Sequence, residues 1–258
     1  MRLSLSLLIG ACSAAPVADS AITDSDPGTV DSPTGDTDTD TDSDTDISTT
    51  DPCAATAGLV GDPLSAAIAA QIADQDCRNY FDATTFMFVE LDNVNSEVEC
   101  VYTGRMTSVF NAKPDAADMN TEHSWPQSLG AEDMPAKCDI HHLYPTDADA
   151  NSRRGNSPFG VVTGSVDWQE GGSKLGAGAG GIVFEPRDSH KGNAARSMVY
   201  FAHRYGHEIE PGVLALYKQW HNLDPVDDTE VARSVAIGEE QVLANPFVMC
   251  PDLVDRVD

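Results

Sequence analysis

The chain has 258 residues, with 15 Lys and Arg set against 42 Asp and Glu for a formal net charge of −27. A charge of that sign excludes a protein that grips a polyanion through a broad basic surface, because the field of the whole body would repel it. No run after the first residues approaches the ~20 apolar positions of a membrane span, which excludes a spanning helix.

In chain order, residues 1–11 read as a short lipoprotein-type signal peptide, with Arg2 ahead of the apolar run Leu3 to Ala11 and a lipobox-like ending at Ile9-Gly-Ala-Cys12. Lipid on Cys12 would be the one attachment to a membrane. Residues 12–52 are an Asp/Thr-rich stretch with no Lys or Arg and a literal Asp-Thr repeat near Asp36 to Asp46, the composition of a disordered acidic tether. Without Arg2 and the eleven Asp of that stretch, the remainder still carries −17. Residues 53–258 are long enough for one catalytic domain with a single core. Its cysteines are Cys53, Cys77, Cys100, Cys138 and Cys250, with no CxxC pair. In an exported chain these form disulfides, and an odd number leaves one thiol over; the pairing stays open.

Leu64, Ile68 and Ile72 fall one helical turn apart and predict a helix. Phe86 to Leu91 and Val98 to Tyr102 are rich in β-formers about a turn cluster, Asp92-Asn-Val-Asn95, and predict a strand pair. A further strand carries Glu122 and His123 toward Pro126, and Thr146 and Asp147 cap a short helix through Asn151 to Arg154, ended by Gly155. Gly171 to Gly181 reads as a flexible loop and Gly181 to Glu185 as a strand. A long helix follows from Asp188 with Ala195, Met198, Val199 and Ala202 as its buried stripe, then helices over Pro211 to His221 and Asp227 to Leu243. A few strands among helices give an α+β fold class.

The chemistry concentrates in Asn120-Thr-Glu-His-Ser-Trp-Pro-Gln-Ser128, Asp139-Ile-His-His-Leu-Tyr-Pro145 and Asn151-Ser-Arg-Arg-Gly-Asn156. A hard cation needs oxygen donors such as a carboxylate and an amide carbonyl, and an attacking water needs a neutral imidazole. These segments supply both within a short interval. Trp125 and Trp220 could stack on bases, but their neighbours favour packing for each.

The same segments, with Phe184-Glu-Pro186, Lys191-Gly-x-x-Ala-Arg196, Tyr205-Gly206, Asp224-Pro-Val226 and Gln241-x-x-x-Asn-Pro-Phe-Val248, run in order from Val98 to Pro251. In that series the chain resembles the bacterial endonuclease I family, secreted nucleases of the His-Me finger, or ββα-metal, class. The resemblance implies a ββα-metal core embedded among helices. It implies His123 as general base and Glu122 and Asn151 as ligands of one Mg²⁺ (Mn²⁺ or Ca²⁺ as alternates); the chemistry of the attack adds that one or more of Arg153, Arg154 and Arg196 would clamp a non-bridging phosphate oxygen. His142 falls where related nucleases carry an asparagine that orients the base, so its role stays open, and Asp139 either orients an imidazole or serves as a turn or salt-bridge residue.

The expectation is therefore an exported, monomeric, largely sequence-nonspecific endonuclease. Its substrate would be DNA, and RNA as well, with 5′-phosphate products and no stable protein partner. A zinc hydrolase built on His123, His141 and His142 competes with this; so does a non-catalytic acidic surface lipoprotein that binds a divalent metal or a partner.

Overall fold

The computed structural model describes residues 51–258, so the signal peptide, Cys12 and all but the end of the acidic stretch lie outside the described residues. Among the described residues no helix is long and apolar enough to cross a membrane. The fold is mixed α+β, with helices around three small antiparallel sheets.

Helix α1 (Gly61–Gln71) buries Leu64 and Ile68, and Ile72 just past its end is equally buried. Helix α2 (Tyr80–Phe86) starts at Asn79, whose side chain accepts from the Asp82 amide, and runs on into a π-turn over Met87–Leu91. The expected strand at Phe86 to Leu91 is therefore helical. Capping at Asn79 and burial of Met87 and Phe88 outweigh the β-preference of the individual residues. The first sheet is instead β1 (Asn93–Val94), β2 (Glu97–Glu99) and β3 (Met106–Ser108), and the β1–β2 turn passes through Asn95 and Ser96, both at positive φ.

The second sheet is the pair β4 (Met119–His123) and β5 (Leu143–Asp147), followed at once by α3 (Ala148–Arg154). Asp147 is the N-cap residue of α3 and closes β5, while Gly155 at φ 53° ends the helix where a side chain would be strained. This β4–β5–α3 unit is the ββα arrangement that the family resemblance implies, although the local sequence pattern predicts only β4 and α3. All five residues of β5 are buried.

The third sheet runs β6 (Val162–Glu170), β7 (Ser173–Gly178) and β8 (Gly181–Glu185). Most of the expected glycine loop is thus its central strand. Gly176 lies so close to β6 that an added Cβ would sit 2.3 Å from the Ser165 carbonyl oxygen, so the glycines here permit strand contact rather than freedom.

Helix α4 (Asp188–Tyr205) is the central helix, buried along Ala194, Ala195, Met198 and Val199, and ends at Gly206 in the left-handed region. Helix α5 (Pro211–Leu223) packs against it, α6 (Asp228–Gln241) begins under an Asp227 cap, and α7 (Pro246–Met249) and α8 (Leu253–Arg256) close the chain. The Arg196 side chain joins α4, α5 and α6. It donates to Glu230 at 2.5 and 2.7 Å, to the Asp224 carbonyl at 3.0 Å, and lies 3.0 Å from His221 Nδ1.

Disulfides join Cys53 to Cys250 and Cys77 to Cys138, leaving Cys100 as a buried thiol. The first spans 197 residues of sequence, and a loop of that length constrains the unfolded chain by about 5 kcal/mol. Cys53→Ser together with Cys250→Ser should lower the unfolding midpoint in guanidinium by a corresponding amount, measured by far-UV circular dichroism, with the m-value compared to detect a change in the unfolded ensemble.

Candidate active site

The two sides of β4 carry different chemistry because strand side chains alternate. Asn120 and Glu122 share the face met by α3: Asn151 Nδ2 donates to Asn120 Oδ1 at 2.7 Å, and also to the Thr121 carbonyl at 3.1 Å. Both amide protons of Asn151 are thereby taken, so its free functional atom is the carbonyl oxygen Oδ1.

Glu122 is buried, 1% exposed. Its Oε1 accepts from the Tyr102 hydroxyl at 2.7 Å and lies 3.3 Å from Arg154 Nη1. Both contacts fall on one oxygen and leave Oε2 outside them. Burial raises the Glu122 carboxyl above its usual value, against the pull of Arg154 and of the Tyr102 hydroxyl. The same burial, reinforced by the Glu122 charge, pushes the Tyr102 phenol well up, so it stays a proton donor.

Arg154 is 2% exposed and its guanidinium lies under the strand. It donates from Nη1 to the carbonyls of His123 and Gly155, both at 3.2 Å, and from Nη2 to that of Ser124 at 2.6 Å, and it sits 4.7 Å above the Phe159 ring. A side chain so engaged binds α3 to the end of β4 and does not project toward a substrate. Arg196 is likewise fully buried, in the junction of α4, α5 and α6. Contrary to the sequence expectation, neither of these two guanidiniums faces solvent to clamp a phosphate. Arg153 does: its side chain is 53% exposed and pairs loosely with Asp149 one turn earlier, at 3.4 Å.

His123 closes β4. Its Nε2 lies 3.0 Å from the Lys137 carbonyl, a contact only a protonated nitrogen can make, so Nδ1 carries the lone pair. The Gln127 amide nitrogen lies 3.2 Å from that Nδ1, and the Tyr80 ring stacks on the imidazole at 5.7 Å. Burial, with smaller contributions from Lys137 and Arg154, lowers His123 to a pKa of about 4, against an opposing effect of the Lys137 carbonyl. The ring is neutral at ordinary pH.

His142 packs edge-on against His123, with centroids 5.4 Å apart, while its own Nε2 is bound to the Ala136 carbonyl at 2.7 Å. It buttresses the His123 ring by contact and makes no hydrogen bond to it. His141 turns away to the Leu243 carbonyl. The three imidazoles do not converge, and among the described residues no three His, Cys, Asp or Glu side chains are grouped to hold a metal. Asp139 touches no imidazole: it caps the turn at His141 and accepts from the hydroxyls of Tyr200 and Tyr205, each at 2.9 Å. The turn alternative is the one observed. Trp220 is core, and Trp125 packs on Phe201 and His207 with its indole N–H on the Leu129 carbonyl.

Tyr102, Gln127 and Lys137 shape this site without having been singled out in the sequence. Gln127 stood inside a quoted motif. Tyr102 acts from 20 positions upstream of Glu122 and Lys137 through its main chain, and neither leaves a local signature.

A hard divalent cation fits what is left over. The unclaimed oxygens, Oε2 of Glu122 and Oδ1 of Asn151, are a carboxylate and an amide, the donor chemistry such an ion prefers, with water completing its shell.

The model of the Endonuclease I family matches residues 67–252. Two extracellular ribonucleases, from Bacillus amyloliquefaciens and Bacillus subtilis (strain 168), are each 32% identical to this chain, over 186 and 187 residues. Each alignment covers 63% of this chain and 61% or 62% of the relative, so the chain spans about three fifths of the length of these relatives. The family match runs from within α1 to the residue before α8 and contains every residue of the ββα unit: the chain belongs to the Endonuclease I family.

Proposed function

We propose that the chain is an exported endonuclease that hydrolyses nucleic-acid phosphodiesters with His123 as general base and one Mg²⁺ held by Glu122 and Asn151. The observation that carries this reading is the fixed tautomer of His123. With Nε2–H committed to the Lys137 carbonyl, Nδ1 is the only nitrogen able to take a proton from water, and burial keeps it neutral. Gln127 must yield to that water or share it. Arg154 and Tyr102 hold the Glu122 carboxylate from one side, and the pairing of Asn151 with β4 aims its carbonyl oxygen away from the strand. Bound by these oxygens, Mg²⁺, or Mn²⁺ or Ca²⁺ in its place, would offset phosphate charge and stabilise the leaving 3′-oxygen. Arg153 is the exposed guanidinium on α3 able to grip a non-bridging oxygen.

Cleavage that leaves the phosphate on the 5′ end follows from water attack with a 3′-oxygen leaving group. Backbone contacts carry no base information, which accords with low sequence preference. The names of the two Bacillus relatives support RNA as substrate and export as the destination, and DNA shares the same phosphodiester. Two disulfides suit an oxidising compartment. Lipid on Cys12 would keep the protein at the cell envelope, and nothing in the site requires a second chain.

His123→Ala should reduce hydrolysis of plasmid and of RNA by roughly 10²–10⁴-fold while calorimetric Mg²⁺ affinity is retained; activity within twofold of wild type would overturn the assignment. Glu122→Ala and Asn151→Ala should weaken Mg²⁺ binding and activity together, with partial recovery at high Mg²⁺.

Because His123 is depressed to about 4, kcat/KM should stay on its plateau through pH 6.5 and fall only as the ring protonates near pH 4. A pH–rate profile with an acid limb at the ordinary histidine value would contradict the buried, neutral base.

Arg154→Met would leave the Glu122 carboxylate buried without its cation. The expected cost is about 3–5 kcal/mol of stability in thermal unfolding. Arg153→Ala should keep the unfolding temperature and raise KM.

A further inference from the structure

Beside His123, α2 carries two consecutive aromatic residues. Tyr80 stacks on the imidazole with planes 27° apart, and the next residue, Phe81, is left 67% exposed although it stands on a helix whose other side is core. Each ring has an ammonium beside it: Lys137 Nζ lies 5.5 Å from the Tyr80 centroid, and Lys113 Nζ 4.2 Å from that of Phe81. Lys113 is fixed there by donating to Thr84 Oγ1 at 2.9 Å. In a chain with 15 cationic side chains and a net charge of −27, two lysines over two consecutive aromatics beside the general base are not a random scatter of surface charge.

Resting on the nuclease reading above, we propose that Tyr80, Phe81, Lys113 and Lys137 form a nucleobase-stacking subsite that selects single-stranded nucleic acid. An exposed ring offers its face to a base, and an adjacent ammonium offers a cation–π partner to the ring and a countercharge to the neighbouring phosphate. Bases inside a duplex are already stacked and present only their edges, so this surface gains contact with an unpaired base and little with a paired one. Phe81 follows Tyr80 directly on α2, and successive side chains of a helix point about 100° apart, so its ring opens to solvent beside the His123–Tyr80 stack, on the neighbouring face of the same helix. Phe81 would read no base identity, since every base has a π-face, and the selectivity is for strandedness.

The test compares wild type, Phe81→Ala and Phe81→Trp on one oligonucleotide, single-stranded and annealed into a blunt duplex, in Mg²⁺. For Phe81→Ala the ratio of single-strand to duplex kcat/KM should fall about five- to tenfold, the lower part of the range for one lost base stack, with the change in KM. Phe81→Trp should restore it. Equal losses on both substrates, or no loss on the single strand, would overturn the subsite. A second measurement needs no turnover: His123→Ala, with and without Phe81→Ala, is titrated with a single strand carrying 2-aminopurine beside the central phosphate. Quenching that depends on Phe81 supports stacking, and identical quenching in both proteins refutes it. If wild type cleaves neither substrate the catalytic reading fails, while the fluorescence titration still decides whether the aromatic surface binds an unpaired base. Unfolding temperatures of the Phe81 variants guard against a loss of fold.

Discussion

The buried contact between Arg154 and Glu122 is the constraint on which the ββα unit depends. One guanidinium reaches the Glu122 carboxylate and the carbonyls of His123 and Ser124, so the helix that bears Asn151 is fastened to the strand end that bears His123. Burial alone favours the neutral acid at Glu122; the cation beside it, with the Tyr102 hydroxyl, works against that. Ion pairs removed from water are rarely strong sources of net stability, but each partner is costly to leave alone. The arrangement therefore fixes geometry: Glu122, His123 and the helix bearing Asn151 cannot drift independently while Arg154 joins them.

That use of arginine bears on how an acidic protein would hold the nucleic acid proposed as its substrate. Arg154 and Arg196 are spent on architecture, the second locking α4 to α5 and α6 through Glu230 and His221. The cations left outside these locks are local: Arg153 is exposed on α3, Lys137 lies beside the Tyr80 ring that stacks on His123, and Lys113 lies over Phe81. A few short-range contacts and one divalent cation can hold a phosphate where the long-range field cannot, because the field is screened within about 8–10 Å at physiological salt and contacts are not.

The sequence made the periodic parts legible. Helix α1 followed from Leu64, Ile68 and Ile72, α4 from its alanine and valine stripe, and α6 from the Asp227 cap. It misled where local preference and packing disagree: Phe86 to Leu91 is made of β-formers but is wound helically under an Asn79 cap, and the glycines around 176 signal close strand approach as readily as a loop. Strand β5 hid because every one of its residues is buried, which removes alternation, and because Pro145 interrupts the usual strand pattern. In the site, residue types were readable but exposure was not. Arg154 and Arg196 look like phosphate binders in one dimension, and only the fold shows their charges turned inward.

The bond between Cys53 and Cys250 ties the first described turn to the close of the core, so the catalytic body is topologically a covalent ring. A protease that cuts one exposed loop of a ring produces no separate fragments. The two halves stay joined and can re-dock at intramolecular concentration, in the millimolar range for a short flexible link. A single nick then becomes a reversible opening, and full separation of the two pieces requires either a second cut or a reductant.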